Sequence, residues 1–494
     1  MITYQDFLER KDNPSAFISW AIGQHIASDE YKIACSADNY SAERNETILN
    51  FIKTVYGIHG QEIEDFTASN IRIASNFFKR LNTQRNTYSL GNGVSFTDNK
   101  EVIENEDGTQ TTIDHTKDKL GKDFDTKLKE IGYYALIHGV CFGFWDVDKL
   151  YTFKLTEFVP CWDEDNGSLR AGVRFWRISA DKPIIAVLYE EDGYTKFKKD
   201  LKKGKDFVEV EAKKPYMQIF AESEDGGEEL LAGQNYPSFP IVPLWGVMEH
   251  QSTLVGMRAK IDAFDLVRSG FANDLSDCAQ IYWLINNANG TTDEELGRFR
   301  DRLKLTHIAI TDDESSVQPY TQEIPSTARS TFLAEIRAGI YEDFGGLDVH
   351  TISAGATNDH IDAGYQPMDE NADDFEYQVS EFIKGVLELL GIEDTPIFKR
   401  NRISNQREQT DMLLSASEYL DTETILQKLP FITVDEVSNI MAKKDQENAD
   451  RMEEDESMME DEEMMDGEED EEPDDIDAQL EALMKELGAD DEEE

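Results

Sequence analysis

The sequence predicts an α+β fold in which a helical hairpin follows a strand-rich region. Apolar residues recur every three or four positions over 254–278 and again over 327–344, which is the period of one face of an α-helix. Short apolar runs separated by Asn-Gly and Asp-Gly turn signals fill 139–245, as expected of antiparallel strands. From about residue 445 the chain is a low-complexity acidic tail, a composition that favours disorder.

Further helices are predicted on both sides of the strands. Residues 1–90 are predicted to be mainly helical, with a long amphipathic segment over 66–90 that stops at Gly91. Another helix is predicted over 124–138, and Gly139 ends it. The strands that follow complete the first large region of the chain.

The helical hairpin has two apolar stripes, which predict buried faces. Gly345 and Gly346 end its second helix. The stripe residues that we expect to be buried are Ile261, Phe264, Phe271, Leu275, Ile336, Ile340 and Phe344. Between the two helices, an insert with predicted strands and one short helix forms a small α/β unit.

The second hairpin helix leads into a polar loop over 346–367. The loop contains Gly355 and Gly364, which permit conformations that other residues adopt rarely. A long helix is predicted over 368–391, and shorter helices are predicted through residue 443.

The composition excludes a typical nucleic-acid-binding surface. The 494 residues carry a net charge of −54, from 48 basic and 102 acidic residues. Residues 445–494 hold 27 acidic residues against Arg451 and Lys485, so the tail carries −25 and the body keeps −29. Binding to phosphates needs clustered Lys and Arg, whereas like charge keeps a polyanion away from the surface.

The sequence also lacks the features of a membrane or secreted protein. It has no run of about 18 apolar residues and no basic N-terminal region followed by an apolar one. Cys35, Cys141, Cys161 and Cys278 are far apart and form no CxxC pair. We therefore expect reduced, mostly buried thiols.

A search for catalytic motifs finds none, so the sequence predicts neither an enzyme nor a bound cofactor. There is no phosphate-binding, dinucleotide-binding, serine hydrolase or zinc protease motif. His350 and His360, with Asp359 and Asp362, offer metal-ligand side chains, but polar residues of a surface loop explain them more simply. A metal-dependent nuclease built on clustered carboxylates is a further alternative that no spacing supports.

One segment of the acidic tail breaks its pattern. Its apolar residues are spaced as one face of a helix and have nothing in the tail to bury against. They predict a partner-binding helix, or else a marginal helix without function. These residues are Ile476, Leu480, Leu483, Met484 and Leu487.

Several stretches, in this order, resemble the portal proteins of tailed bacteriophages, of the type found in phage SPP1. The resemblance covers about residues 20–440 and leaves out the acidic tail. The matching stretches are 76–80 (NFFKR), 90–94 (LGNGV), 134–139 (YALIHG), 158–160 (FVP), 172–176 (GVRFW), 261–266 (IDAFDL) and 270–275 (GFANDL).

The resemblance implies a portal fold made of a β-rich wing, a helical stem, a small α/β clip and a helical crown. In this numbering it implies the following parts: wing 1–250, stem helices 251–278 and 326–345, clip 279–325, tunnel loop 346–367, long helix 368–391, crown 392–443 and disordered tail 444–494.

The resemblance further implies a ring, usually of twelve subunits, at one vertex of the capsid. Double-stranded DNA would pass through its channel during packaging and ejection, without sequence specificity. Implied partners are the terminase large subunit, head-completion or adaptor proteins, the scaffold and the major capsid protein. The protein would be assembled in the host cytoplasm and would end up in the virion.

The resemblance also assigns roles to individual residues. It makes the seven stripe residues of the two stem helices contacts between subunits of the ring. The tunnel-loop residues expected near DNA are Val349, His350, Thr351, Ile352, Gly355, Asn358, His360 and Gly364. Four basic residues on the stem would either touch DNA or, as we favour, pair with acidic residues between subunits. They are Lys260, Arg268, Arg329 and Arg337. The competing hypothesis is an acidic interaction or scaffold-binding protein that acts through its tail.

Overall fold

The fold is described from a computed structural model. It describes residues 2–56, 60–65, 69–104, 110–200, 206–222, 228–278, 282–286, 316–320, 325–349 and 358–400, with single residues or short pieces at 292–298 and 402–441. The chain divides into two compact units, residues 1–404 and 405–494. The helices and strands named below all belong to the first unit.

Helices occupy the N-terminal region and the last third of this unit. Thr3 begins the first helix with a capping box, in which its hydroxyl and the Asp6 carboxylate each accept a backbone N–H of the other residue. The described helices are α1 (Tyr4–Glu9), α2 (Pro14–Ala27), α3 (Asp29–Ser41), α4 (Glu46–Leu49), α5 (Phe77–Leu90), α6 (His115–Leu120), α7 (Phe124–His138), α8 (Leu254–Cys278), α9 (Ser326–Phe344) and α10 (Asn358–Leu390).

Most strands lie between α7 and α8, where the sequence predicts them. The described strands are β1 (Ile2–Thr3), β2 (Thr54–Tyr56), β3 (Glu62–Glu64), β4 (Val94–Phe96), β5 (Lys100–Glu104), β6 (Gln110–Asp114), β7 (Val140–Asp146), β8 (Lys149–Lys154), β9 (Phe158–Trp162), β10 (Leu169–Trp176), β11 (Ile184–Glu190), β12 (Gly193–Lys199), β13 (Val208–Lys214), β14 (Met217–Glu222), β15 (Glu228–Gln234), β16 (Ile241–Trp245), β17 (Tyr282–Asn286), β18 (Ser316–Tyr320) and β19 (Pro396–Phe398).

The largest sheet has the order β1-β9-β10-β11-β12-β13. Its neighbours are antiparallel except β1, which runs parallel to β9. A three-stranded sheet has the order β16-β7-β8, and β17 pairs antiparallel with β18 in the insert between α8 and α9. The mixture of helix and sheet that the sequence predicts is therefore confirmed.

The large sheet separates two cores because successive side chains point to opposite faces. Val159 and Leu188 pack with α1 and α2 on one face, whereas their neighbours Phe158 and Val187 join the central core on the other. The central core also contains α7, the three-stranded sheet and the second half of α10. This arrangement fixes α10 against the strands.

Two helix boundaries differ from the sequence prediction. Helix α10 begins at Asn358, ten residues before the predicted start, and continues through Pro367. Residues 1–90 are helical over α1 to α5, but the prediction is wrong between α4 and α5, where the hairpin β2–β3 and extended backbone replace it. Contacts with distant parts of the chain explain both differences.

The close approach of α10 to β7 leads to a testable prediction. A Cβ atom on Gly143 would lie 2.5 Å from Cζ of the buried Phe382 ring. We expect Gly143→Ala to lower the free energy of unfolding by about 1–3 kcal/mol, since a tightly packed core has no room for the methyl group. Chemical denaturation of the two proteins measures this loss.

Gly23→Ala in α2 is the matched control, because a Cβ there meets no atom within 4 Å. Alanine is the better helix former, so this variant should gain up to about 1 kcal/mol. Equal effects of the two substitutions would contradict the packing argument.

Candidate functional site

The helical hairpin of α8 and α9 is the element on which the sequence places the subunit contacts. Apolar packing anchors its first half to the rest of the chain: Leu254, Met257 and Ile261 are buried in one cluster. Ile340 and Phe344 of α9 belong to the same cluster. Gly345 then ends α9 in a left-handed conformation with a φ of 63°, so the predicted stop is confirmed.

Two ion pairs set the register of the antiparallel helices. Lys260 of α8 pairs with Asp343 of α9, and Asp274 of α8 pairs with Arg329 of α9. A step of 14 residues along α8 therefore corresponds to a step of 14 residues back along α9. This equality is expected for straight helices that share a rise of about 1.5 Å per residue.

Beyond Ile261, the face of α8 that packs on its own chain becomes polar. Asp265, Ser269 and Asn273 follow at intervals of four residues and are 0%, 2% and 7% exposed. Four-residue spacing keeps side chains on one side of a helix. The predicted apolar stripe lies on a different side, so sequence analysis missed this polar row.

The polar row holds an extended segment, residues 69–75, which we call the strap. Ser269 Oγ accepts the Ile73 N–H at 2.9 Å, and Asn273 Oδ1 accepts the Ile71 N–H at 2.5 Å. The Asn273 amide also donates to the Ile71 carbonyl at 3.3 Å. These bonds satisfy backbone groups that a helix would otherwise pair, which explains why the predicted helix over 66–90 starts only at Phe77.

Asp265 is the ionisable member of the polar row. The Asn45 side-chain amide donates to its Oδ2, and Asn45 also donates to the Ser75 carbonyl at 3.1 Å. Burial raises the pKa of Asp265 above its ordinary value, even though these hydrogen bonds favour the ionised form. The link between α4, the strap and α8 therefore contains a carboxyl group that is costly to ionise.

Three of the four basic residues predicted on the hairpin find carboxylates in their own chain. Besides Lys260 and Arg329, Arg337 pairs with Asp348 at 2.9 Å. Within a single chain these three cations already have carboxylate partners, and pairing between subunits stays a prediction. Arg268 differs, because no described carboxylate lies within ion-pair distance of it.

The seven predicted stripe residues divide into three groups. Ile261, Ile340 and Phe344 are buried inside the chain. Three others are half-buried, and Leu275 is 55% exposed. The half-buried residues are Phe264, which meets the Phe77 ring edge-on at 4.9 Å, Phe271 and Ile336. Within one chain, burial of the stripe is therefore incomplete towards the far end of the hairpin.

The predicted tunnel-loop residues do not share one environment. Val349 is 46% exposed, whereas His350, Thr351, Ile352 and Gly355 lie outside the described residues. Asn358, His360 and Gly364 lie in α10, so the prediction of a loop through residue 367 is wrong for these three.

The apolar pattern explains the longer helix. Ile361, Tyr365, Met368 and Ala372 repeat at helical spacing and are buried against Tyr88 and Leu347. The rings of Tyr88 and Tyr365 stack with their centres 5.6 Å apart. This packing outweighs the loss of one backbone hydrogen bond at Pro367, the last residue of the predicted loop.

Two arginines that follow β19 bind the outer face of α10, and sequence analysis missed both. Arg400 pairs with Glu376 through two parallel contacts of 3.0 and 2.9 Å and with Asp369 at 3.0 Å. Arg402 pairs with Asp369 and donates to the Tyr88 hydroxyl at 2.9 Å. Burial and the hydrogen bond to Asp369 raise the pKa of Tyr88 to about 12.

The remaining predictions concern metal ligands, membrane segments, the cysteines and the acidic tail. Among the described residues, no group of three or more His, Cys, Asp or Glu side chains is arranged to hold a metal ion. No described helix is long and apolar enough to cross a membrane. Cys35, Cys141 and Cys161 are free thiols. The proposed partner helix of the tail, with most of the predicted crown, lies outside the described residues.

The anchoring of the strap makes a prediction for Asn273. Asn273→Ala would remove the two hydrogen bonds that its buried side chain makes with the N–H and carbonyl groups of Ile71. We expect the free energy of unfolding to fall by about 1–3 kcal/mol, as measured by chemical denaturation. Glu342→Ala in α9 is the control, because its exposed side chain forms no hydrogen bond or ion pair with a described residue and should change stability by less than about 0.5 kcal/mol. Similar losses in both variants would contradict this role.

The raised pKa of Asp265 predicts a pH dependence. A carboxyl group whose pKa is higher in the folded than in the unfolded protein stabilises the fold while it is protonated, which is the case below its unfolded-state pKa. This stabilisation is lost as the pH rises through the folded-state pKa. Asp265→Asn cannot ionise, so its melting temperature relative to the natural protein should increase as the pH rises from the ordinary aspartate pKa of about 4 towards neutrality. A difference that stays constant across this range would contradict the assignment.

Comparison with known proteins gives the family of this chain. The sequence model of the family described as "Phage portal protein, SPP1 Gp6-like" matches residues 31–462. The portal protein of Clostridium phage phiCD119 is 25% identical over 418 residues, which cover 78% of this chain and 87% of that protein. The portal protein of Bacillus phage SPP1 is 24% identical over 410 residues, which cover 77% of each chain. This chain therefore belongs to the SPP1 Gp6-like family of phage portal proteins.

Proposed function

We propose that this protein forms the portal of a tailed phage, a ring at one capsid vertex through which double-stranded DNA is packaged and later ejected. The family match over residues 31–462 carries this proposal. Portal proteins are structural components of the phage capsid, and they generally assemble into rings that pass DNA. We assign this chain a structural role in the virion rather than an enzymatic one.

We assign the helical hairpin to the stem that surrounds the channel. Its two helices are antiparallel and in fixed register, and its far end still exposes Leu275 and Phe332. Apolar side chains of this size are favoured at interfaces between subunits. We assign residues 1–250 to the wing, and 279–325, which contain β17 and β18, to the clip.

The charge balance supports a channel that conducts DNA without holding it. Lys260, Arg329 and Arg337 are neutralised by carboxylates of the same chain. A surface with few free cations offers few phosphate contacts, so a duplex passes it without strong binding. We place residues 346–357, together with the start of α10, nearest the DNA.

The docking partners follow from the proposed position at the vertex. Portal proteins generally dock the terminase and the capsid. We propose that the clip contacts the terminase large subunit during packaging and head-completion or adaptor proteins afterwards. Scaffold and major capsid protein would meet the wing.

Imaging of the purified protein tests the proposed assembly. We expect negative-stain class averages to show closed rings with an axial hole, and native mass spectrometry to give one subunit number close to twelve. A protein that stays monomeric at high concentration across a range of salt would contradict the proposal.

Truncation before Asp445 separates the portal from the alternative of an acidic interaction protein. Rings should persist without the tail, since the family match lies almost entirely upstream of it. Loss of rings on truncation, with the remaining chain still folded by circular dichroism, would place the assembly function in the tail instead.

A further inference from the structure

A cation and a carboxylate of the helical hairpin, Arg268 of α8 and Glu335 of α9, form no ion pair within the described residues, and both side chains are exposed. Glu342 of α9 is also exposed and without an ion pair there, but it adjoins Asp343 and therefore lies near the level of Lys260 instead of Arg268. The guanidinium of Arg268 lies over the Phe264 ring, 6.0 Å from its centre. Every other basic residue of the two helices has a carboxylate in its own chain: Arg258, Lys260, Arg329 and Arg337.

These two residues lie at the same level of the hairpin. The pairs Lys260–Asp343 and Asp274–Arg329 define which residues of α8 and α9 are opposite each other. Counting eight residues forward from Lys260 reaches Arg268, and eight back from Asp343 reaches Glu335. Both therefore lie about 12 Å along the hairpin from the first pair.

Arg268 and Glu335 nevertheless point to opposite flanks. Successive residues of an α-helix are about 100° apart. Arg268 therefore lies about 100° from the direction of Lys260 and Asp274, which face α9. Counted in the direction of the chain, Arg268 is turned forward by this angle, whereas Glu335 is turned backward by the same angle from the direction of Asp343 and Arg329. Because the two helices run in opposite directions, a forward turn on α8 and a backward turn on α9 lead to opposite sides of the pair.

We propose that Arg268 of one subunit pairs with Glu335 of the next subunit around the ring. A cyclic ring joins two different surfaces of each subunit, and rotation about the ring axis keeps the height of every residue. Two residues at one level and on opposite flanks therefore come together between neighbouring hairpins that stand along the channel. This inference rests on the proposed function, since it requires a closed ring.

The surroundings of both residues suit an interface between copies. Leu275, two turns from Arg268 on the same flank, is 55% exposed, and Phe332, one turn from Glu335, is 45% exposed. Covering these apolar side chains would shield the ion pair from water and salt. A charge pair within such a contact fixes register and partner choice.

Charge reversal tests the pair directly. Arg268→Glu and Glu335→Arg should each raise the subunit concentration needed for half-maximal ring assembly by roughly tenfold or more, because each places like charges together. The double variant should restore assembly to near the natural level. Sedimentation velocity measures the assembled fraction, and circular dichroism of the unassembled subunit checks folding. Lys384→Glu, which changes an exposed cation of α10, is the control and should assemble normally.

The outcomes are distinct. Rings from the natural protein, loss in each single variant and recovery in the double variant support the pair. Normal assembly of both single variants would overturn the pair while leaving the portal assignment intact. Weaker packaging of Arg268→Glu with normal rings would point to a DNA contact and would also overturn it. Failure of the natural protein to form rings would instead refute the proposed function.

Discussion

The register between α8 and α9 is the constraint on which the rest of the hairpin depends. Its two ion pairs have opposite polarity, with Lys260 on α8 facing Asp343 and Asp274 on α8 facing Arg329. Each pair is partly exposed, so each contributes roughly 0.2–1 kcal/mol. Apolar packing around Ile261 and Ile340 supplies the larger stabilisation. The ion pairs decide which of several similar packings forms, because sliding one helix would separate both of them.

The same helix is held from its other side by directional contacts instead of apolar packing. Hydrogen bonds of Asp265, Ser269 and Asn273 fix the strap at defined positions, whereas an apolar surface would allow it to shift. Helix α8 thus connects the N-terminal helices to α9, and its remaining flanks keep Arg268 and Leu275 exposed. In the ring that we propose, α8 is a rigid helix within its own chain, and its unpaired groups stand at defined heights for the neighbouring subunit.

Much of this arrangement was predictable from periodicity, and the errors have physical causes. The bounds of α7 and α8 match the sequence prediction because each helix has a clear apolar stripe. Gly139 marks the end of α7, and the strand-forming run of β17 follows α8. The start of α10 was misplaced because the polar side chains and the two glycines of 346–367 indicated a loop in the sequence. In the folded protein, packing against Tyr88, which is distant in sequence, stabilises the start of α10 as a helix. The polar row of α8 was missed because buried Asp, Ser and Asn are visible only once the strap that they bind is known. Its four-residue spacing was the available signal.

A reconstruction of the assembled ring at side-chain resolution would show the contact between Arg268 and Glu335 itself. We expect α8 and α9 to stand along the channel with the register seen in the single chain. We also expect the Arg268 guanidinium of each subunit to lie within about 4 Å of the neighbouring Glu335 carboxylate. A ring in which Arg268 points into the channel, or in which the two residues lie at different heights, would contradict this expectation.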